Sequence, residues 1–304
     1  MRQLKVGLVG LGGIAQKVYL PLLSQAKHWQ LVGAFTPNAA KNADLCRQYR
    51  ITPFNSLHEL TQNCDVAFVH SATSTHFEVT QQLLNAGLHV YIDKPLADTY
   101  EQAEQLVTLA EQQQRTLMVG FNRRFAPFYQ MVKAAMPTAA SVRFEKHRMH
   151  GIANPARFTL LDDYLHVVDT LLWLADGKAE LITGQLSVSD QQEMIYAGHH
   201  FRHNHQLLSC AMHRDTGSNS ETLELVGSQK ILRVKEMNRL ETESHGALTI
   251  TQAGSWQTIL ESRGFAPMVE HFLTCVANQT TPDICGEQAL IAQRLIEKQL
   301  LQTN

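Results

Sequence analysis

The feature that most constrains this fold is the alternation, from Leu4 to Phe121, of short apolar runs with segments of helical period. Apolar runs are typical of parallel strands covered on both faces, and their alternation with helices predicts βαβ units in a doubly wound sheet. The predicted strands are Leu4–Val9, Leu31–Phe35, Val66–His70, Val90–Ile92 and Leu117–Val119. The predicted helices are Ile14–Ala26, Ala39–Tyr49, Phe77–Asn85 and Tyr100–Gln113. In such a fold ligands bind at the carboxyl ends of the strands.

The pattern changes after Phe121. Consecutive strand-like runs between Leu181 and Thr251 indicate an α+β domain with a mostly antiparallel, open sheet. The other predicted elements are helices at Pro127–Ala135, Asp163–Leu174, Met268–Val276 and Glu287–Leu301 and a strand at Ser141–His147. We therefore predict two domains, one with a doubly wound parallel sheet over residues 1–121 and an α+β domain over 122–304.

Composition narrows the class of partner. With 26 basic and 28 acidic residues in 304, the chain has no basic footprint for nucleic acid or anionic membranes. No apolar run approaches the roughly 18 residues of a spanning helix, and the N-terminus does not read as a signal peptide. Five cysteines without a CxxC pair suit reduced thiols. We expect a cytoplasmic protein with a small-molecule partner.

A glycine-rich turn follows the first strand. The segment Gly10-Leu11-Gly12-Gly13-Ile14-Ala15 fits G-x-G-x-x-A and opens a helix. In that pattern the first glycine permits the tight turn, the second lets the backbone approach a pyrophosphate, and the small last residue allows close helix–sheet packing. The position in the first βα unit favours dinucleotide binding over a purely structural turn.

The end of the second strand bears on the choice of dinucleotide. An acid that binds the ribose hydroxyls of NAD is expected there, but the first acid is Asp44, well inside a helix. Thr36 and Asn38 offer hydrogen bonds to a 2′-phosphate, and Lys41 offers a charge. We therefore favour NADP over NAD, with a solvated helix face as the alternative for Lys41.

Two further segments carry titratable groups. Asp93-Lys94-Pro95 follows a strand end, so Lys94 either points into the ligand crevice or forms a surface turn with Asp93. Asp162, His166 and Asp169 form a polar stripe on an apolar helix. The acid can orient the imidazole of a general base, or it caps the helix while the histidine lies in the core.

The order of these motifs resembles the Gfo/Idh/MocA family of oxidoreductases, with an MviM-like branch as the nearest pattern. The resemblance spans the chain and also rests on Ala72-Thr73-Ser74-Thr75-His76, Gly120-Phe121-Asn122-Arg123-Arg124-Phe125, Glu270-His271-Phe272-Leu273 and Gly286-Glu287-Gln288-Ala289. It implies a dinucleotide-binding Rossmann domain over residues 1–121, a substrate-binding and oligomerisation domain over 122–304, a nicotinamide cofactor and no metal.

The resemblance also implies roles for individual residues. Lys94 falls on the family lysine that contacts the nicotinamide ribose and the substrate, His166 on the catalytic histidine and Asp162 on the acid one turn before it. The residues that would border the cofactor are Gly10, Gly12, Gly13, Ile14, Ala15, Thr36, Asn38, Lys41, Ala72, Thr73, His76, Asp93 and Lys94. Arg123, Tyr164 and His166 would contact the substrate, although Arg123 has a structural turn as its alternative.

Three departures from the family pattern concern the site. Asp93 replaces the usual glutamate and shortens the arm of any ribose contact. Tyr164 replaces the usual glycine, and Arg157-Phe158-Thr159-Leu160-Leu161 replaces a glycine triplet. These changes bear on the shape of the substrate site more than on the cofactor.

The histidine cluster His199-His200-x-x-His203-x-His205 is interpreted as a solvated strand or loop, because no cysteine or carboxylate completes a zinc set. The working hypothesis is an NAD(P)-dependent oxidoreductase acting on a carbinol or carbonyl of a sugar or polyol. A glycosidase with transient redox chemistry on NAD and a non-catalytic dinucleotide-responsive binding protein remain alternatives. A homodimer or larger assembly is expected from the family resemblance.

Overall fold

The computed structural model describes residues 3–25 and 27–302. The chain divides into two compact units, one of the residues up to Gly120 together with Ala266–Leu290, and one of Phe121–Phe265 together with the residues from Ile291 onward. Ala26, the predicted last residue of the first helix, lies outside the described residues. Within the described ranges no helix is both long and apolar enough to span a membrane.

The first unit contains a six-stranded parallel sheet with the strand order β3-β2-β1-β4-β5-β6. Its strands are β1 (Leu4–Val9), β2 (Trp29–Phe35), β3 (Thr52–Pro53), β4 (Val66–Val69), β5 (His89–Ile92) and β6 (Leu117–Val119). All four residues of β4 are buried, because a central strand is covered on both faces. The predicted doubly wound parallel sheet is confirmed.

Helices connect these strands. They are α1 (Leu20–Leu23), which a π-helical stretch Ala15–Tyr19 precedes, α2 (Ala39–Tyr49), α3 (Leu57–Asn63), α4 (His76–Asn85) and α5 (Tyr100–Gln112). Side chains cap three of their N-termini: Asn38 accepts from Lys41 N, Ser56 from Glu59 N and Thr99 from Gln102 N. The capping at Ser56 begins α3, which is absent from the predicted helices.

The second unit contains an eight-stranded sheet with the order β14-β13-β12-β11-β7-β10-β9-β8. The strands are β7 (Ser141–His147), β8 (Glu180–Val188), β9 (Met194–His203), β10 (Gln206–His213), β11 (Ser220–Gly227), β12 (Lys230–Lys235), β13 (Arg239–Ser244) and β14 (Ala247–Gln252). All neighbours are antiparallel except β7 and β10. This confirms the predicted, mostly antiparallel sheet.

Helices cover one face of this sheet. They are α6 (Pro127–Ala135), α7 (Ala156–Thr159) and α8 (Leu165–Leu174), which a π-helical stretch Leu160–Tyr164 precedes; the short helix α9 (Ile259–Ser262) contacts α6. Helix α8 packs on β7 and β10. Along β7 the buried residues alternate, with Val142, Phe144 and Lys146 buried, as expected of a strand with one covered face. The chain ends with α10 (Phe265–Asn278), α11 (Glu287–Lys298) and a 3₁₀ turn Leu300–Gln302.

Candidate active site

The glycine-rich turn has the geometry of a dinucleotide loop. Gly10 has φ +87°, and a Cβ there would lie 2.5 Å from the backbone nitrogen of Ser71, so only glycine fits. A Cβ at Gly12 would meet only the His70 carbonyl, at 3.9 Å, and one at Gly13 would meet nothing within 4 Å. Protein packing therefore does not require glycine at these two positions. Open space above their backbone fits the approach of a cofactor pyrophosphate.

The end of β2 presents polar groups and no acid. Asn38 Oδ1 accepts a hydrogen bond from Lys41 N at 3.0 Å, which leaves the Asn38 amide nitrogen available as a donor. The first turn of α2 has no acidic residue, and Asp44 is paired with Arg47. Lys41 is exposed and forms no ion pair with any residue in the described ranges. Thr36, Asn38 and Lys41 therefore stay predictions as contacts to the adenosine end of a dinucleotide.

The segment after β4 is held together by His76. Its ring is 1% exposed, with Nδ1 2.8 Å from the carbonyl oxygen of Pro95. Burial lowers the pKa of His76, and hydrogen bonds to the Pro95 and Ser71 carbonyls oppose that shift. The expected contact of His76 with the cofactor is corrected: its ring ties this turn to the segment after β5. Ala72 is exposed and Thr73 half-buried, so both stay predictions as cofactor contacts.

Asp93 faces inward. Its Oδ2 lies 3.8 Å from Nδ1 of the fully buried His70, and its Oδ1 accepts a hydrogen bond from Lys94 N at 2.8 Å. Burial alone would raise the pKa of Asp93, but His70 and Lys94 outweigh burial and lower it. The His70 ring stacks on Tyr19, with centroids 3.7 Å apart. The short aspartate thus forms a pair with His70, a residue that the sequence analysis included in a strand without assigning it a role.

Of the three polar residues predicted to line one face of this helix, one forms a structural ion pair. Asp162 and His166 are half-buried. Asp169 is buried and accepts two hydrogen bonds from Arg124, at 2.6 and 3.0 Å. Of the polar stripe on this helix, Asp169 therefore serves the fold, and Asp162 and His166 remain the candidates.

Arg123 has the structural role that was the alternative to a substrate contact. It is 5% exposed and donates Nε and Nη2 to the two carboxylate oxygens of Glu221, at 2.8 and 2.7 Å. Tyr129 also donates to Glu221, at 3.0 Å. The arginine thus fixes the turn after β6 to β11, and the predicted substrate contact of Arg123 is corrected.

Tyr164 is a core residue. Its ring is 0% exposed, and its hydroxyl lies 2.7 Å from His199 Nδ1 and 3.1 Å from Cys210 Sγ. Burial lowers the pKa of His199 to about 4. The expectation that Tyr164 contacts the substrate is corrected, because its buried hydroxyl points toward His199 and Cys210 of the sheet. Among the described residues no group of three or more His, Cys, Asp and Glu side chains is arranged to hold a metal ion.

Comparisons with known proteins agree with this geometry. Residues 4–121 match the model of the oxidoreductase family with an NAD-binding Rossmann fold, and residues 127–245 match the model of the YceM-like C-terminal domain. The provisionally named oxidoreductase YceM of Salmonella typhimurium is 49% identical, over 98% of this chain and 97% of its own. The crystal structure of the dehydrogenase MviM from Clostridium difficile superposes with a TM-score of 0.94 at 43% identity, covering 97% of this chain and 98% of its own.

A more distant relative has a named substrate. Inositol 2-dehydrogenase of Paracoccus denitrificans is 29% identical over 57% of this chain and 54% of its own length. The nearly full-length relatives and the match of the Rossmann domain establish the kinship. This chain belongs to the Gfo/Idh/MocA family of oxidoreductases.

Proposed function

We propose that the protein is an NAD(P)-dependent oxidoreductase that transfers hydride between nicotinamide and a carbinol or carbonyl carbon of a sugar, polyol or related molecule. The observation that carries this proposal is the open backbone at Gly12 and Gly13 beside the tight turn at Gly10, where only glycine fits, in a chain of an oxidoreductase family. The inositol dehydrogenase relative supports the class of substrate.

In this proposal residues 1–121 bind the cofactor, which supplies the hydride acceptor or donor when bound. Gly10, Gly12, Gly13, Ile14 and Ala15 would hold its pyrophosphate, and Ala72 and Thr73 would border it. Residues 122–304 bind the substrate. Ile14 is 37% exposed at the start of its helix, consistent with contact to a ligand.

Three side chains would carry the chemistry. His166 removes the hydroxyl proton of the substrate during oxidation, and Asp162, one helical turn earlier, orients the imidazole and stabilises its cation. Lys94 stabilises the developing negative charge on the substrate oxygen. In reduction the same groups act in reverse.

A direct assay tests this function. The purified protein is mixed with NADPH or NADH and a panel of sugars, polyols and aldehydes, and the absorbance of the reduced cofactor is followed. We expect cofactor oxidation with at least one carbonyl compound. Net hydrolysis of glycosides without cofactor consumption would favour the glycosidase alternative. Cofactor binding without hydride transfer across the panel would favour a binding protein.

For the cofactor we propose NADP, with Thr36, Asn38 and Lys41 at its 2′-phosphate. Asn38→Asp keeps an N-cap acceptor for Lys41 N but places a carboxylate where the phosphate would lie. We expect the ratio of NADPH to NADH affinity to fall about ten- to hundredfold, because repulsion replaces a hydrogen bond to a charged group. Fluorescence titration of both cofactors measures the ratio.

Asn38→Ser is the matched control, since serine caps the helix and adds no charge. Its ratio should stay close to that of the wild-type protein. A wild-type preference for NADH would contradict the proposed roles of Thr36, Asn38 and Lys41.

We propose a cytoplasmic homodimer or larger assembly that forms through the open face of the second sheet. In support, Leu207 on β10 and Leu248 and Ile250 on the edge strand β14 are 46–55% exposed. Light scattering on the purified protein measures the mass of the assembly, and a monomer at micromolar concentration would contradict the proposal.

A further inference from the structure

Two His-Arg pairs lie side by side in the second unit. His147 and His213 are the last residues of β7 and β10, the two neighbouring parallel strands of this sheet. The arginines that follow them, Arg148 and Arg214, are therefore brought together at the carboxyl ends of both strands. Arg148 N donates to the carbonyl oxygen of His213 at 2.9 Å, which fixes the register of the two chain segments.

Three cations converge on one carboxylate. Asp163 accepts hydrogen bonds from Arg148 Nε and Nη2, at 3.0 and 3.2 Å, and from Arg214 Nη1 at 2.6 Å. Lys146, buried on β7, donates to the same carboxylate. Glu221, the buried acid opposite Lys146 in the sheet, already has both oxygens bonded to Arg123. Lys146, Arg148, Arg214 and Arg123 therefore outnumber the two carboxylates to which they donate.

The pKa values of Lys146 and Asp163 reflect the charged groups packed around them. Burial and the neighbouring charge of Arg123 lower the pKa of Lys146 to about 7, although Asp163 and Glu221 act in the opposite direction. Burial alone would raise the pKa of Asp163, but Lys146 and Arg148 outweigh burial and hold it far below its usual range. The cations that stabilise the Asp163 carboxylate would also stabilise a second anion bound beside it.

The arginines are fixed and still have free donors. Arg214 Nε donates to the Gly151 carbonyl at 3.0 Å, and the Arg148 carbonyl accepts from Thr216 N at 2.9 Å. Within the part of the chain that the structure describes, neither Arg148 Nη1 nor Arg214 Nη2 has a hydrogen-bond acceptor. The Arg148 side chain is 38% exposed and that of Arg214 12%, so a ligand can reach them. Fixed guanidinium donors suit the recognition of oxyanions.

We propose that Arg148 and Arg214 form an anion-binding subsite that holds a carboxylate or phosphate group of the substrate. Their shared partner Asp163 directly follows Asp162 and lies three residues before His166, so the subsite is about one helical turn from the proposed base. The assignment to the substrate rests on the proposed function. Anion binding itself does not, and it can be measured without turnover.

The first test measures binding of inorganic phosphate and of acetate by calorimetry and by the shift in thermal midpoint. Phosphate is also expected to bind at the dinucleotide loop. Binding at the subsite is therefore measured as the difference in anion affinity between the wild-type protein and each variant. We expect Arg148→Met and Arg214→Met each to weaken the binding of phosphate or of acetate, whichever the subsite prefers, at least about tenfold. Arg143→Met, which removes an exposed arginine of the same strand β7, is the matched control.

Asp163→Asn distinguishes an anion site from a merely structural cluster. Removing the carboxylate frees donors and increases the positive charge, so phosphate should raise the thermal midpoint of this variant more than that of wild type. If phosphate and acetate each bind equally to wild type, Arg148→Met and Arg143→Met, the proposal is overturned. It is also overturned if neither phosphate nor acetate raises the thermal midpoint of Asp163→Asn more than that of wild type.

The second test links the subsite to the substrate. Kinetics are compared for matched polyols and sugars with and without a phosphate ester or a carboxylate, and the preferred anion identifies the group. The ratio of kcat/KM for the charged over the neutral member should fall about tenfold or more in Arg148→Met. No preference for the charged member in wild type would refute its assignment to the substrate. Absence of all turnover with intact phosphate binding would instead refute the proposed function alone.

Discussion

Lys94→Ala and His166→Ala are each expected to lower kcat about 10²–10⁴-fold while leaving the affinity for the dinucleotide close to that of wild type. Proton transfer by a positioned side chain and electrostatic stabilisation of an oxyanion each contribute on this scale. Cofactor affinity should survive because the glycine-rich turn and the end of β2 supply most of the proposed contacts. Steady-state kinetics and fluorescence titration of the cofactor measure the two quantities separately.

His200→Ala is the control for the histidine variant. His200 is an exposed residue of β9, and its removal should change neither kcat nor cofactor affinity. Circular dichroism and thermal midpoints should be the same for all three variants and wild type. Full activity in Lys94→Ala or in His166→Ala would refute the role assigned to that residue.

Most of the fold could be predicted because the pattern of each buried strand is local. The bounds of β1, β6, β7 and α2 agree with the prediction to the residue. The two-residue strand β3 and the helix α3 were missed, since neither has a run long enough to show a period. The capping serine at position 56 was the available signal for α3.

The site was less predictable, because partners distant in sequence decide what a charged side chain does. Arg123 pairs with Glu221 and Arg124 with Asp169, and nothing near either arginine in the sequence indicates these choices. The orientation of Tyr164 toward His199 likewise depends on how α8 packs on the sheet. The repeated His-Arg dipeptide at the ends of β7 and β10 was a usable signal, but its meaning requires the parallel pairing of those strands.

Arg123→Met is expected to lower the free energy of unfolding of the second unit by about 3–5 kcal/mol, because it leaves the carboxylate of Glu221 buried without its main partner. Urea denaturation measures the loss. Hydrogen exchange of the β7 and β11 amides shows whether the loss lies in this unit. Arg143→Met removes an ion pair between the same two strands, Arg143 with Glu224, whose arginine is 55% exposed. Arg143→Met should therefore lower the free energy of unfolding by less than about 1 kcal/mol.

The pH dependence of the free energy of unfolding tests the Arg123–Glu221 pair through the ionisation of Glu221. Burial alone would raise the pKa of Glu221, but Arg123 outweighs burial and lowers it to about 2. The unfolded chain therefore binds the proton more readily, so the stabilisation by this carboxylate is complete above pH ~4.3 and is lost as the pH falls toward 2. The shift corresponds to about 3 kcal/mol. Glu221→Gln should therefore unfold with a shallower dependence on pH between 5 and 2 than wild type. An identical slope in the two proteins would show that Glu221 is not held ionised by Arg123.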